Sequence, residues 1–161
     1  MCMEVPLSRG QVALIDDADW ELIKDYSWFA VKPHKVYYAV GHKPMINGIR
    51  KKIKMHRLIM NAPPGQQVDH VNGNGLDNRR ENLRLATKSQ NQWNRHNACG
   101  TSKYKGVCWA TSQGQWKASI KKFGKKVNLG FFDDEVDAAR AYDTAAKELF
   151  GDFANLNIKE I

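Results

Sequence analysis

Cysteine is scarce in this sequence, and the few residues present form no pattern. Cys2, Cys99 and Cys108 make no Cys-x-x-Cys pair and no even disulfide framework. That argues against structural zinc and predicts a reduced, intracellular (cytoplasmic) chain. No apolar run approaches the ~20 residues that a spanning helix requires, which excludes a helical membrane protein. The first residues, Met1-Cys2-Met3-Glu4-Val5-Pro6, hold neither a basic nor an apolar leader segment, so no secretory signal is expected. Internal repeats and low-complexity tracts are missing as well. What is there is 161 residues, 42% of them hydrophobic, enough for one ordinary domain or two small ones.

The most telling absence is of acid. The net charge is +8, but its placement says more than its size. Six acids lie in residues 1–25, three in 69–81 and eight in 133–161. From Tyr26 to Val68 there is none against eight Lys and Arg, and from Asn82 to Phe132 none against ten. Two long segments therefore project only positive charge, as a polyphosphate partner would require. An anionic membrane would attract the same charge. The sequence offers no strong basic amphipathic helix to insert into one, so nucleic acid is the favoured partner.

Residues 11–15 read as a strand and 17–24 as a short helix with acids at its start. Residues 36–40 and 49–55 read as strands joined at Asn47-Gly48, a hairpin signal. In the second of these, Arg50, Lys52 and Lys54 share one face, either solvated or turned to phosphate. A helical run at 56–60 stops at Pro63-Pro64-Gly65. Strand-like residues 68–71 and 82–86 flank an Asn- and Gly-rich loop. Thr87 with Gln90 makes a capping-box pattern for the helix carrying Asn91 and Trp93. Residues 96–101 read as a linker. Beyond it, 104–109, 115–123 and 126–132 read as three strands, and Asp133 or Asp134 caps a helix running to about Phe150.

One cluster has the makings of phosphodiester chemistry. Asp69 offers a carboxylate oxygen and Asn91 an amide oxygen, both suited to Mg²⁺ or Mn²⁺. His70 can take the proton of an attacking water, and Asn82 can hold its imidazole. On an extended segment Asp69 and His70 point to opposite faces. Residue types alone also allow a bland reading, in which the histidine is a surface residue and the asparagines only make turns.

The spacing is more specific. Val68-Asp69-His70 through Asn82-Leu83-Arg84 to Asn91-Gln92-Trp93-Asn94, preceded by His56-Arg57-Leu58, resembles the HNH endonuclease family. The resemblance implies a ββα-metal hairpin and helix around one divalent cation, Mg²⁺ or Mn²⁺. By position it makes His70 the general base, Asn82 its orienting residue, and Asp69 and Asn91 the metal ligands. Asn91 stands where many members have histidine, which points to the homing-endonuclease branch and away from a zinc site. His56 is assigned to packing or a phosphate contact. Arg79, Arg80 and Arg84 either hold DNA phosphates or solvate the hairpin. His34, His42 and His96 receive no role.

The last third divides by charge. Residues 103–126 hold seven lysines and no acid, and residues 127–161 hold eight acids against three Lys and Arg. The sheet, not the helix, should face DNA. Trp116, Ala118 and Ile120 should pack inward, while Lys117, Ser119 and Lys121 face out. Tyr104-Lys105-Gly106-Val107, Trp116 to Lys121, Val127-Asn128-Leu129-Gly130 and Ala138 to Asp143 together are similar to the plant Apetala2/ethylene-response-factor DNA-binding domain. By position the resemblance puts Lys105, Ser119, Lys121 and Asn128 on the DNA-facing sheet. Cys108 and Ala110 stand where that domain has base-reading arginines, and Asn128 replaces a tryptophan, so the plant target sequence does not transfer. Trp109 fits a core position or a base–sugar contact.

The expected architecture is α+β: a β-rich N-terminal segment (1–48), an HNH nuclease hairpin and helix (49–95), a linker (96–101), then a three-stranded antiparallel sheet packed on one helix (102–161). The expected function is metal-dependent hydrolysis of double-stranded DNA, in the manner of free-standing homing endonucleases of phages and bacteria. One site per chain implies nicking. No membrane or protein partner is implied, and a homodimer is compatible. The rival readings are a DNA-binding regulator with a decayed nuclease, and an RNA-binding nucleoprotein.

Overall fold

A computed structural model of the chain describes residues 2–42, 52–95, 100–122 and 124–158. The Asn47-Gly48 turn, Ile49, Arg50, Cys99 and most of the expected linker lie outside the described residues. The chain forms two compact units, residues 1–91 and 92–161. No helix among the described residues is long and apolar enough to cross a membrane.

The first unit is built from small antiparallel sheets. β1 (Cys2–Pro6) pairs with β2 (Val12–Asp16). A 3-10 turn at Asp17–Asp19 leads into the short helix α1 (Trp20–Ile23). β3 (Ser27–Val31), β4 (Tyr38–His42) and β5 (Lys52–Lys54) form a second sheet in that order. α2 (Met55–Ile59) follows directly, so Met55 is the first residue of a helix and not the last of a strand. The Arg57 guanidinium then donates to the carbonyls of Ala62, Pro63 and Gln66, holding the turn at the helix C-terminus. β6 (Gln67–His70) pairs with β7 (Leu83–Ala86). Helix α3 (Lys88–Trp93) opens with the expected box: Thr87 N–H donates to Gln90 Oε1 at 2.8 Å, and Gln90 N–H to Thr87 Oγ1 at 3.2 Å.

One apolar core binds these pieces. Val5, Ala13, Ile15 and Ile23 from the N-terminal elements pack with Ala39, Met55, Ile59, Val68, Leu76 and Leu83. The N-terminal segment thus shares its core with the hairpin. β2 also reaches the hairpin loop through its backbone: Leu14 N–H donates to Leu76 O, and Asn78 N–H to Leu14 O.

The second unit is a sheet of β8 (Val107–Ala110), β9 (Gln115–Lys122) and β10 (Lys125–Phe132), with β9 central. Helix α4 (Glu135–Phe150) covers one face. Asp134 caps it, its carboxylate accepting from Val136 N–H and Asp137 N–H. Val107, Ala118 and Ile120 meet Ala138, Ala139, Tyr142 and Ala146, and small alanines let helix and sheet approach closely. Gly106 is obligatory there. Its φ is +78°, and an added Cβ would lie 2.2 Å from the Tyr142 ring.

Removing a side chain from the first core should be costly. Met55 is fully buried, so Met55→Ala is expected to lower stability by ~2–5 kcal/mol in urea unfolding of the whole chain. Val127→Ala, at an exposed position, should stay within ~0.5 kcal/mol.

Candidate active site and candidate nucleic-acid interface

The β6–β7 hairpin brings the charged pair into register: Asp69 faces Arg84, and His70 faces Leu83. Strand alternation then divides the site. Gln67 and Asp69 share one face of β6, and Val68 and His70 share the other. Asp69 is buried, and its Oδ2 accepts from Arg84 Nε at 2.9 Å and Nη2 at 2.8 Å. Asn91 of α3 donates through Nδ2 to Gln67 Oε1 at 2.5 Å. Asn91 therefore docks on the residue two positions from Asp69, on the same face.

His70 turns the other way, into an aromatic nest. Its ring lies edge-on to His56 with centroids 4.9 Å apart, and 5.9 Å from the Tyr38 ring. Burial lowers its proton affinity, and the Lys54 charge adds to the effect. Asn78, with Asp69 and Asp77, opposes the shift. His70 Nε2 lies 3.4 Å from Asn78 Oδ1. Asn78 is fully buried, and its Nδ2 donates to Leu76 O, so its oxygen is the atom presented to the imidazole. That arrangement favours the tautomer with the proton on Nε2 and the lone pair on Nδ1.

The loop between the strands folds on its own side chains. Asn74 N–H donates to Asn72 Oδ1, and Leu76 N–H to Asn74 Oδ1. Asn82 uses both amide atoms here: Oδ1 accepts from Asn72 N–H at 2.9 Å, and Nδ2 donates to Asp77 O at 2.8 Å. Its backbone carbonyl accepts from Val71 N–H. Gly75 lets the loop press on β4, since a Cβ there would sit 2.4 Å from Tyr37 O and 2.7 Å from the Tyr38 ring.

The three arginines singled out in the sequence all hold carboxylates. Arg79 pairs with Asp77 and Glu81, Arg80 with the buried Asp19, and Arg84 with Asp69. The Arg79 pair draws the Asp77 carboxyl below its usual range.

In the second unit, cross-strand register puts Cys108, Lys117 and Phe131 side by side, and likewise Ser119 with Asn128 and Lys121 with Lys126. Their neighbours Val107, Ala118 and Ile120 face α4. Lys117, Lys121 and Asn128 thus share the face away from the helix; Ser119 has the same parity but is buried, so it does not face out as the sequence led one to expect. The Lys117 ammonium lies 5.5 Å from the Phe131 ring centroid on that face. Trp109 sits opposite Trp116, on the helix side of the sheet, with its ring edge-on at 5.2 Å and 40% exposed. Lys105 is placed differently from the other lysines. Its Nζ donates to Trp93 O and lies 6.0 Å from the Tyr142 ring, and burial brings its pKa down to about 8.

One participant escaped the sequence reading. Asn78 looked like one more turn residue in an Asn-rich loop, and only the fold aims it at His70. His56 was read as packing or a phosphate contact. The structure packs it against both His70 and Tyr38 while its Nδ1 is buried without a hydrogen-bond partner.

Comparison with known proteins agrees with the placement of the hairpin. The family profile described as HNH endonuclease matches residues 54–93. An uncharacterized HNH endonuclease of Acanthamoeba polyphaga mimivirus is 33% identical over 156 residues, covering 92% of this chain and 76% of that protein. Protein 3.8 of Escherichia phage T7 is 36% identical over 93 residues, 57% of this chain and 76% of its own. An AP2-like ethylene-responsive transcription factor of Arabidopsis thaliana is 44% identical over 57 residues, 35% of this chain and 12% of its own.

Burial also holds His56 neutral, with its pKa near 3, and the neighbouring His70, Lys54 and Arg57 act in the same direction. An unfolded histidine takes up its proton near pH 6.5, and the folded chain binds that proton only near pH 3. Stability should therefore be full above pH 6.5 and fall as the pH drops toward 3. Urea titrations from pH 7 to 4 should show His56→Leu losing up to about 1.4 kcal/mol per pH unit of that slope.

Proposed function

Because the chain belongs to the HNH endonuclease family, and so is a nuclease, we propose that it hydrolyses one strand of duplex DNA at the β6–β7 hairpin with the help of one divalent cation. The observation that carries this reading is the shared face of β6, where Asp69 and the Asn91–Gln67 pair lie two residues apart.

The donor chemistry fits a hard cation. Asp69 contributes a carboxylate, and Asn91, held by its nitrogen, contributes a carboxamide oxygen. A carboxylate has about four acceptor directions, so it can serve Arg84 and a cation together. Both donors on this face are oxygens, not the nitrogen and sulfur that zinc prefers. When bound, Mg²⁺ or Mn²⁺ would stabilise the charge that develops on the leaving 3′-oxygen.

The protein residues do the rest. His70, kept neutral at pH 7 by burial, accepts the proton of the attacking water at Nδ1. Asn78 holds the ring through Nε2. Asn82 acts one step further back, by locking the loop that carries Asn78. Arg84 holds Asp69 in place. The outward face of the second unit, with Lys117, Lys121 and Asn128, supplies affinity for the duplex, as its likeness to AP2-like factors supports. One site per chain supports nicking, and Asn91 in place of histidine supports a homing-type enzyme.

Supercoiled plasmid should be nicked with Mg²⁺ or Mn²⁺ and left intact in EDTA. His70→Ala should slow nicking about 10²–10⁴-fold while duplex binding in EDTA is retained. Undiminished cutting by that variant would remove His70 from its role, and cutting in EDTA would remove the cation from the reaction.

Lys117→Ala with Lys121→Ala should weaken binding to duplexes of any sequence about equally. A change confined to one sequence would mean that these lysines read bases.

A further inference from the structure

We propose that the face of the β3–β4–β5 sheet bearing Lys52, Lys54 and Tyr38 is a second DNA-contact surface, which holds the backbone of the strand being cut beside His70. The proposal deepens the nuclease reading and rests on it for the meaning of the word "cut".

Register builds the surface. Val40 pairs with Lys54 and His42 with Lys52 across β4 and β5, and Phe29 pairs with Val40 across β3 and β4. Strand alternation therefore places Lys52, Lys54, His42, Val40, Phe29 and Tyr38 on one face. The opposite face, with Ala39 and Trp28, packs into the core. The Lys54 ammonium confirms the sidedness, lying 5.6 Å from the Tyr38 ring centroid. The same ring lies edge-on to both imidazoles, 5.9 Å from His70 and 5.9 Å from His56. One aromatic ring therefore meets both a cation and the proposed base.

Charge and spacing choose the occupant. No acid occurs between Tyr26 and Val68, so nothing on these strands neutralises the lysines. Lys52 and Lys54 are both exposed, and their Cα atoms stand ~6.7 Å apart along one strand. That is close to the step between successive phosphates on a nucleic-acid strand. The Phe29 and His42 rings, tilted against each other with centroids 5.0 Å apart, give the Lys52 end an apolar floor for a sugar. Lys54 and His70 meet the same Tyr38 ring, so a phosphate bound at Lys54 would be a close neighbour of the one cut. The plain alternative is that β5, an edge strand, carries lysines to prevent edge-to-edge pairing.

Salt dependence separates the two. The full chain is titrated with a mixed-sequence 30-base-pair duplex in EDTA, where no cutting occurs, at several salt concentrations. Lys52→Ala and Lys54→Ala should each lower the slope of log Kobs against log salt by about 0.9. Lys54→Arg should retain the slope, and thermal melting checks that each variant is folded. Folded alanine variants with an unchanged slope would overturn the proposal, as would a slope change seen only with single-stranded RNA. Plasmid nicking is scored separately. A lowered slope in a chain that never nicks supports the surface and sinks the nuclease reading. Nicking with an unchanged slope does the opposite.

Discussion

The first unit depends on satisfying polar groups that it buries. Asp69, His70, Asp77, Asn78 and Asn82 are all buried within one short hairpin. A buried polar atom without a partner costs ~1–3 kcal/mol, so this hairpin is tolerable only as a closed network. The network is supplied from several sources: Arg84 for Asp69, Arg79 for Asp77, and the loop backbone for Asn82. The N-terminal strands complete it, with Asp19 holding Arg80 and Leu14 bonding the loop on both sides. A site of precise geometry is thereby carried by a loop that has little apolar surface of its own.

The second unit solves a different problem. A three-stranded sheet is marginal alone, and α4 supplies the missing layer. Its acids at Glu135 and Asp137 lie at the helix N-terminus, where they favour the helix dipole. Asp143 is spent internally, accepting from the backbone N–H groups of Asn157 and Ile158. The negative charge in this stretch is thus partly structural, which leaves the opposite face of the sheet basic.

Much of this was legible in the residues, for physical reasons that can be named. Alternation in 115–122 showed which side chains meet the helix, because a half-buried strand cannot hide its period. Thr87 with Gln90, and Asp134 before an apolar run, marked helix starts through capping chemistry. The spacing from Asp69 to Asn91 announced the hairpin. β1 and β3 were not legible: each has five residues with only one of them buried, too weak an alternation to show. Pairing also hid the destinations of Arg79, Arg80 and Lys105. In a basic chain one Lys or Arg looks like the next until a carboxylate or a carbonyl claims one of them. Asn78 was hidden in the same way, by a composition that makes every asparagine in 72–78 look equivalent.

The irregularity in β10 between Asn128 and Gly130 has a lasting effect. It resets the odd–even parity of the strand, so that Lys126, Asn128 and Phe131 end up on one side while Leu129 reaches the core. The outer sheet surface becomes graded as a result, cationic toward one end and aromatic toward the other. The extra residue is Leu129, which has no cross-strand partner of its own, so the strand spends one residue on the core without disturbing the pairs that face outward.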